Sequence, residues 1–498
     1  MQLLKKLPLF LFLLVAFFCL HGSVENYGYL NLYEVMEVGG IIIGFIAVFF
    51  TLAWLFTKDH QFAGLLTFFM ALWYLFFGAI HDLIKTTAFL RFLQSYSVLL
   101  PALLVVNILV IRWLRKRKPL YDKLFLYLNL LFIIFCVSDV VLLADKVSGY
   151  KEIAYPDPVT FDQSKVKARP DVYFLLFDEY AGYKSLNDSF QFKNDSLYHF
   201  LQQHQFRQMP TFSNYDFTPF SLSSILNMQY VPQNYNPLQL DQPDIQHRFG
   251  EIRNAQVPVI FKSMGYSIVN HSIFDIKGKP ALFQSNGLFP IHAELLTNKI
   301  FHNRLAKNIG WWLATGRFSI RFIREHYMYR KDEYNRRVEK HLLETAATAV
   351  SEPRFWYAHF LLPHGQFYRD SLGNLNPAEK ILNLKYLADK SLYLSYLKYT
   401  NNVIKRVVNH ISTNDPHAIV ILMSDHGFYD YMGNGGYQPY NYDNICFVKD
   451  PAAASDTTNL PRSNVNLFRY LFNSRFGQNM TYLKDSTVYV VEDPAVLR

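Results

Sequence analysis

Cysteine is scarce in this chain: there are three in 498 residues, and Cys19 and Cys136 lie in long apolar runs, which leaves Cys446 alone in the polar part. No disulfide framework can be built from them, and the count leaves the compartment open. Strong charge of either sign is lacking too. Of the formal +9, residues 1–146 carry +4 (12 Lys+Arg against 8 Asp+Glu) and the remainder +5. That balance is mild, no basic stripe suited to nucleic acid is visible, and no nucleic-acid partner is expected. Internal repeats and low-complexity tracts are absent as well.

What is abundant is apolar and aromatic sequence, 51% and 17% of the chain. That is too much for one ordinary soluble domain of this length, so two parts are expected. A bilayer-crossing helix needs roughly 17–25 apolar residues. Runs near that size occur at Leu7–Leu20, Met36–Thr57, Gln61–Ile80, Tyr96–Leu114 and Leu124–Ala144, predicting five spans in a transmembrane domain over 1–146. The first follows Lys5-Lys6 like a signal peptide, but no small-x-small cleavage site follows, and Ala16-Phe17-Phe18 before Cys19 makes a poor lipidation box, so a retained helix is expected. Basic loops stay cytoplasmic. Lys5-Lys6, Lys58 and the run Arg112 to Lys118 then lie inside, whereas Glu25, Glu34 and Glu37 lie outside, as does the loop with Lys85 and Arg91 despite its two bases. Asp139 near the end of the last span is expected at the interface. Five crossings place a linker, 147–169, and everything from 170 to 498 on the outer side of a cell (inner or plasma) membrane.

The outer part reads as α/β. Asp171–Phe177 is a continuous apolar run of strand length, and Tyr266–Asn270, Phe355–Leu362, Ala418–Met423, Ile445–Val448 and Val488–Val491 are of the same kind. Helical stretches alternate with them, clearest in the stripe Leu397, Ile404, Val408, Ile411. The pattern predicts a mostly parallel central sheet with helices on both faces. Ligands bind such sheets at the carboxyl ends of strands, which is where Asp178-Glu179, His364 and Asp425-His426 fall.

Asp425-His426-Gly427 sets a carboxylate and an imidazole side by side where a strand opens into a glycine-containing turn. With Asp178 or Glu179 and the hydroxyl of Thr218, these give a mixed oxygen and nitrogen set suited to one divalent ion, zinc or manganese. Taken alone, an Asp-His pair is usually a surface turn. Thr218-Pro219 reads as N-cap and first position of a helix running to Met228, and a positive helix end beside a hydroxyl suits an attacked phosphate or sulfate. Thr-Pro is also commonly only a cap. A threonine hydroxyl is hardly ionised at neutral pH, and a bound metal, which can bring water from about 15.7 to about 7, could activate it. His364 is the candidate proton donor to the leaving oxygen or anchor of the transferred group. His359 is expected in its strand as a core or supporting histidine, and the pair Asn270-His271 ends another strand, within reach of substrate.

The series Asp178, then Asn214-Tyr215 with Thr218 and Ser221–Met228, then Leu362-Pro363-His364, then Ser424-Asp425-His426-Gly427 resembles the sulfatase-like branch of the alkaline phosphatase superfamily, over about residues 168–475. Membrane spans ahead of such a domain further resemble lipoteichoic acid synthases, phosphoglycerol transferases and lipid A phosphoethanolamine transferases. The resemblance implies a covalent intermediate on Thr218 (catalytic, with His364), metal ligands at Asp178 or Glu179, Thr218, Asp425 and His426, and substrate contacts at His364, Asn270, His271 and Asn214. It implies a phospholipid donor and a cell-surface glycan or lipid acceptor. True sulfatases carry a convertible Cys or Ser within Cys-x-Pro-Ser-Arg, whereas here Thr218 and Leu222 stand at the first and last of these positions, arguing against sulfate-ester hydrolysis by that route. The rival readings are a sulfatase-like phosphodiesterase or hydrolase, and a noncatalytic membrane protein keeping the fold.

Overall fold

The structure, a computed structural model, describes residues 2–27, 30, 32–149, 159–233, 235–282, 289, 293–315, 320, 322, 325, 329–346, 351–428, 438–452 and 459–491. Residues 150–158 of the expected linker, and the end of the chain beyond 491, lie outside these. The chain divides into two compact units: Met1–Glu152 with Gln284–Ile320, and Ile153–Phe283 with Arg321–Arg498. Residues 284–320, expected in the outer domain, therefore fold with the apolar helices.

In the first unit, Leu32–Thr57, His60–Thr86, Tyr96–Lys116 and Lys118–Ser148 are long and apolar enough to cross a membrane. The expected fifth span is shorter. Pro8 has no N–H to continue a helix, and the segment breaks into Gln2–Lys6 and a 16-residue helix, Phe10–Glu25. At about 1.5 Å per residue that helix is about 24 Å long, against a hydrocarbon core of about 30 Å. It lies parallel to the last long helix. The Asn129 side chain accepts from Phe10 N at 2.6 Å and donates to Leu4 O and Leu7 O at 2.7 and 2.9 Å, bonding the break itself, while Lys146 donates to Val24 O at the other end. Asp139, expected at the interface, is instead buried in the bundle, 3.4 Å from His21 Nδ1. An uncompensated carboxylate there would cost several kcal/mol, on the order of +2.5–3.5, so it takes a partner. The returning segment is bound to these helices by Lys299–Glu25 (2.7 Å), the Arg304–Asp82 pair and Gly78 N donating to Lys299 O (2.7 Å). Gly78 permits that approach, since a Cβ there would sit 2.6 Å from Lys299 Cα.

The second unit is built on a six-stranded sheet of β1 (Val172–Phe177), β2 (Arg207–Gln208), β3 (Ser267–His271), β4 (Arg354–Phe360), β5 (Ile419–Met423) and β6 (Cys446–Lys449), in the order β2-β6-β5-β1-β4-β3. The neighbours β5, β1, β4 and β3 are parallel; β6 pairs antiparallel with both β5 and the edge strand β2. The apolar runs mark five of these strands, but β2 has only two residues and leaves no run to read. Val488–Val491 forms no strand, only a bridge from Val488 to Tyr215. Alternation along β1 divides the core into two layers. Tyr173, Leu175 and Phe177 meet the helix Lys390–Asn414, whose stripe Leu397, Ile404, Val408 and Ile411 is buried as its spacing predicts; Val172, Phe174 and Leu176 meet the helices Thr218–Asn227, Gln256–Ser263 and Leu467–Phe476. Both faces are covered, so the open positions for chemistry lie at strand ends. Register makes those ends level: Phe177 pairs with Phe360, Leu176 with Met423, and Asp178 N extends the ladder to Phe360 O at 3.0 Å.

Candidate metal centre and active site

The ends of β1 and β5 bring Asp178, Asp425 and His426 together, all buried, with one ligand atom of each within 4.8 Å of the others. His426 Nε2 lies 3.4 Å from Asp425 Oδ2 and 4.0 Å from Asp178 Oδ1. Thr218 Oγ1 lies 3.3 Å from the same nitrogen. A tetrahedral ion with bonds of about 2.0–2.2 Å holds its donors roughly 3.3–3.6 Å apart, and the distances from His426 Nε2 to Thr218 Oγ1 and Asp425 Oδ2 fall in that range, with Asp178 Oδ1 slightly beyond it.

The chemistry of the donors agrees with the spacing. Asp178 Oδ1 and Asp425 Oδ2 are buried and accept no hydrogen bond among the described residues, which is costly unless a cation serves them. His426 Nδ1 lies 2.8 Å from Gly427 O and donates to it, leaving the Nε2 lone pair toward the carboxylates. Burial lowers the His426 pKa, but Asp425, Asp178 and Glu179 more than offset it and hold the imidazole at about 9. Burial likewise opposes ionisation of Asp178, yet His364, His359 and His426 hold its carboxyl well below the ordinary range. The pocket is built for excess negative charge around one cation, and the residues present fit a divalent ion.

Each donor is set by its neighbourhood. The Asp425 carbonyl accepts from Ser213 Oγ at 2.5 Å and Ser221 Oγ at 2.6 Å, and its Oδ1 accepts from Glu179 N at 3.1 Å, which frees Oδ2. Glu179 has a left-handed φ of 61°, clamped between that bond and one from Tyr393 OH to its carbonyl at 2.8 Å. Glu179 Oε2 lies 3.9 Å from His364 Nε2, and of the two candidate acids it is Asp178 whose ligand atom falls within 4.8 Å of those of both Asp425 and His426. Gly427 serves close packing, with φ outside the left-handed region: a Cβ would come within 2.3 Å of Tyr440 O and 2.5 Å of Asp443 O.

Thr218 opens the helix Thr218–Asn227 with Phe217 as its N-cap, one residue earlier than expected, and Met228 ends it in the left-handed conformation. Helix ends read from sequence carry that uncertainty. Thr218 is only partly buried, so a substrate can approach it. His364, also partly exposed, stands at the rim beyond Glu179. Three expected substrate contacts are committed to the fold instead. Asn214 is fully buried, donating to Tyr230 OH and Ser486 O and accepting from Val465 N. Asn270 donates to Phe274 O and Lys279 O and so closes its own turn. His271 packs on the rings of Trp356 and His341, where burial, with His341 adding, pulls it down to about 4.

His359 carries a role that sequence left as support. Fully buried on β4, opposite Leu176, it places Nε2 3.4 Å from Asp178 Oδ2 and so orients the oxygen that faces the centre. His359→Leu is expected to weaken zinc binding roughly 10- to 100-fold in a chelator competition, the range for removing a group that orients a ligand. Unchanged affinity would show that Asp178 needs no such guide. Ser213 and Ser221 were also missed; Ser221 stands three residues after Thr218 in the helix, and that spacing was the available signal.

The Sulfatase family model matches residues 179–446. The chain belongs to the sulfatase family. It is an enzyme of the alkaline phosphatase superfamily, with the buried Asp/Asp/His cluster as its candidate metal site. Among solved structures, this sulfatase-family chain is similar to the C-terminal periplasmic domain of EcEptC from Escherichia coli in complex with Zn, at 12% identity over 68% of this chain and 91% of that one, TM-score 0.40. It is also similar to the phosphonate monoester hydrolase of Agrobacterium radiobacter, at 14% identity over 62% and 74%, TM-score 0.39. No curated protein matches it.

Proposed function

We propose that this protein is a membrane-anchored, metal-dependent transferase moving a phospho-alcohol head group, phosphoglycerol or phosphoethanolamine, from a phospholipid to a cell-surface glycan or lipid through a phospho-threonine intermediate. The observation that carries this reading is Thr218, partly buried at a helix start with its Oγ1 3.3 Å from His426 Nε2, in a chain with four membrane-length helices. A threonine in this place cannot become the aldehyde that sulfatases use, but it can hold a phosphoryl group. Helices long enough to sit in a bilayer keep the enzyme beside a lipid donor.

Asp178, Asp425, His426 and Thr218 would hold the ion, zinc or manganese. Bound there, it would lower the pKa of the threonine hydroxyl, releasing its proton to solvent, and neutralise charge on the phosphoryl group. Thr218 Oγ1 attacks phosphorus, the bond to the diacylglycerol oxygen breaks, and that oxygen takes a proton from His364. An acceptor hydroxyl then attacks the phospho-threonine, its proton passes to His364, the bond from phosphorus to Thr218 Oγ1 breaks, and that oxygen takes a proton back from solvent. The α/β unit would work outside the membrane, with Phe10–Glu25 as a fifth crossing, supported by the way that helix is bonded along the last long one.

Phospholipid labelled in its head group tests the reading. Diacylglycerol together with label on a surface polymer or lipid supports transfer. Diacylglycerol with a soluble labelled phospho-alcohol would make the protein a hydrolase of the same family, and unchanged lipid would remove the donor class.

A further inference from the structure

We infer that Lys331 is a substrate-binding residue, its ammonium contacting a non-bridging oxygen of the phosphoryl group that Thr218 attacks. The inference deepens the function proposed above and rests on it. Lys331 lies in the first turn of the helix Arg330–Ala346, and that helix is bonded across the carboxyl end of β4. Tyr334 OH donates to His359 O at 2.8 Å, and Asn335 both accepts from Leu361 N at 2.7 Å and donates to Leu361 O at 3.2 Å. Residues three and four apart share one side of a helix, so Lys331 is carried on the side that Tyr334 and Asn335 press against the site, one turn nearer the helix start. The charges of Asp178 and Glu179 both act on it there.

The acids beside it on its own helix are occupied. Asp332 is held by Arg369 at 2.6 and 2.7 Å and by Arg336 at 3.2 Å, and Glu333 by Arg337 at 2.5 Å. Among the described residues Lys331 forms no ion pair or hydrogen bond, although it is partly buried. A partly buried lysine in the first turn of this helix, within the field of two carboxylates and paired with neither, is placed for a ligand that brings its own negative charge. Charge balance gives the reason. Asp178, Asp425, Glu179 and the ionised Thr218 hydroxyl bring four negative charges, and a divalent ion with a protonated His364 removes three, so an arriving phosphodiester anion meets a site that is still net negative unless further cations line its mouth. Lys331 supplies one, as positioned cations do for transferring phosphoryl groups generally.

The test uses the full-length, zinc-loaded protein in detergent, with inorganic phosphate as probe in calorimetric titration and phospholipid turnover measured alongside. Lys331→Gln is expected to weaken phosphate binding roughly 10- to 100-fold, the scale of one charge-assisted hydrogen bond, and to lower kcat/KM by a similar factor. One zinc per chain is retained and the unfolding midpoint stays close to wild type. Lys331→Arg is expected to recover most of the phosphate affinity, because the charge is restored; Lys331→Met, matched in length, behaves like the glutamine variant. Wild-type phosphate affinity in Lys331→Gln and Lys331→Met, with zinc retained and the wild type active on phospholipid, overturns the role of Lys331 while the transferase reading stands. A zinc-loaded wild type that neither binds phosphate nor turns over phospholipid overturns both.

Discussion

Replacing Thr218 with alanine is expected to reduce phospholipid turnover by about 10^4-fold or more even at saturating zinc, while leaving the fold in place. Removal of a covalent nucleophile elsewhere costs up to about 10^6 in kcat, since the remaining groups then act without the atom that forms the bond. Thr218 is half buried in a first helical turn, and the helix is held by Ser221, Ser223 and Asn227 through contacts that do not involve it. The alanine variant should unfold within about 1 kcal/mol of the wild type, as for a substitution that leaves no cavity or orphaned group. Thr218→Ser keeps a hydroxyl and should keep measurable turnover. Alanine activity within about tenfold of wild type would remove Thr218 as nucleophile.

The second large effect is expected at Asp425. Its carbonyl and Oδ1 are held by Ser213, Ser221 and the Glu179 amide, so Asp425→Asn keeps its place while losing the charge on the oxygen that faces His426 Nε2. Bound zinc should fall from one per chain to a trace after passage over a chelating resin, an affinity loss of more than ~100-fold, because a ligand matters more than the groups that orient it. The response to zinc separates a metal role from a structural one. In metal-free protein at neutral pH the substitution removes the strongest charge partner of the buried His426 imidazolium, so the apo variant should unfold below the apo wild type. Added zinc should raise the unfolding midpoint of the wild type and leave that of the variant unchanged. Zinc retained at wild-type affinity would mean that these carboxylates serve something other than an ion.

Much of this architecture was legible in the residues because a parallel sheet buried on both faces writes itself as short continuous apolar runs, and the residue after each run is then at a strand end. Asp178, Asp425 and His426 were found that way. What was illegible depended on neighbours distant in the chain. No periodicity tells which of Asp178 and Glu179 gathers with Asp425 and His426; the structure groups Asp178 with them, while Glu179, in a left-handed φ held by Asp425 and Tyr393, lies beside His364. Asn214, Asn270 and His271 do stand at a loop and a strand end as expected, but local carbonyls, a distant amide and neighbouring rings consume their side chains. The return of residues 284–320 to the apolar helices rests on glycine approach and paired charges that no run of residues announces.

The most direct measurement is acid-quenched labelling of the wild-type protein during turnover of phospholipid labelled in its head-group phosphate, followed by peptide mass analysis. The label is predicted on the peptide containing Thr218, with the added mass of a phospho-alcohol, appearing before product and chased by acceptor. Turnover that proceeds with no label on protein, or with label on any other residue, would contradict the assignment of Thr218 as the attacking atom at this metal centre.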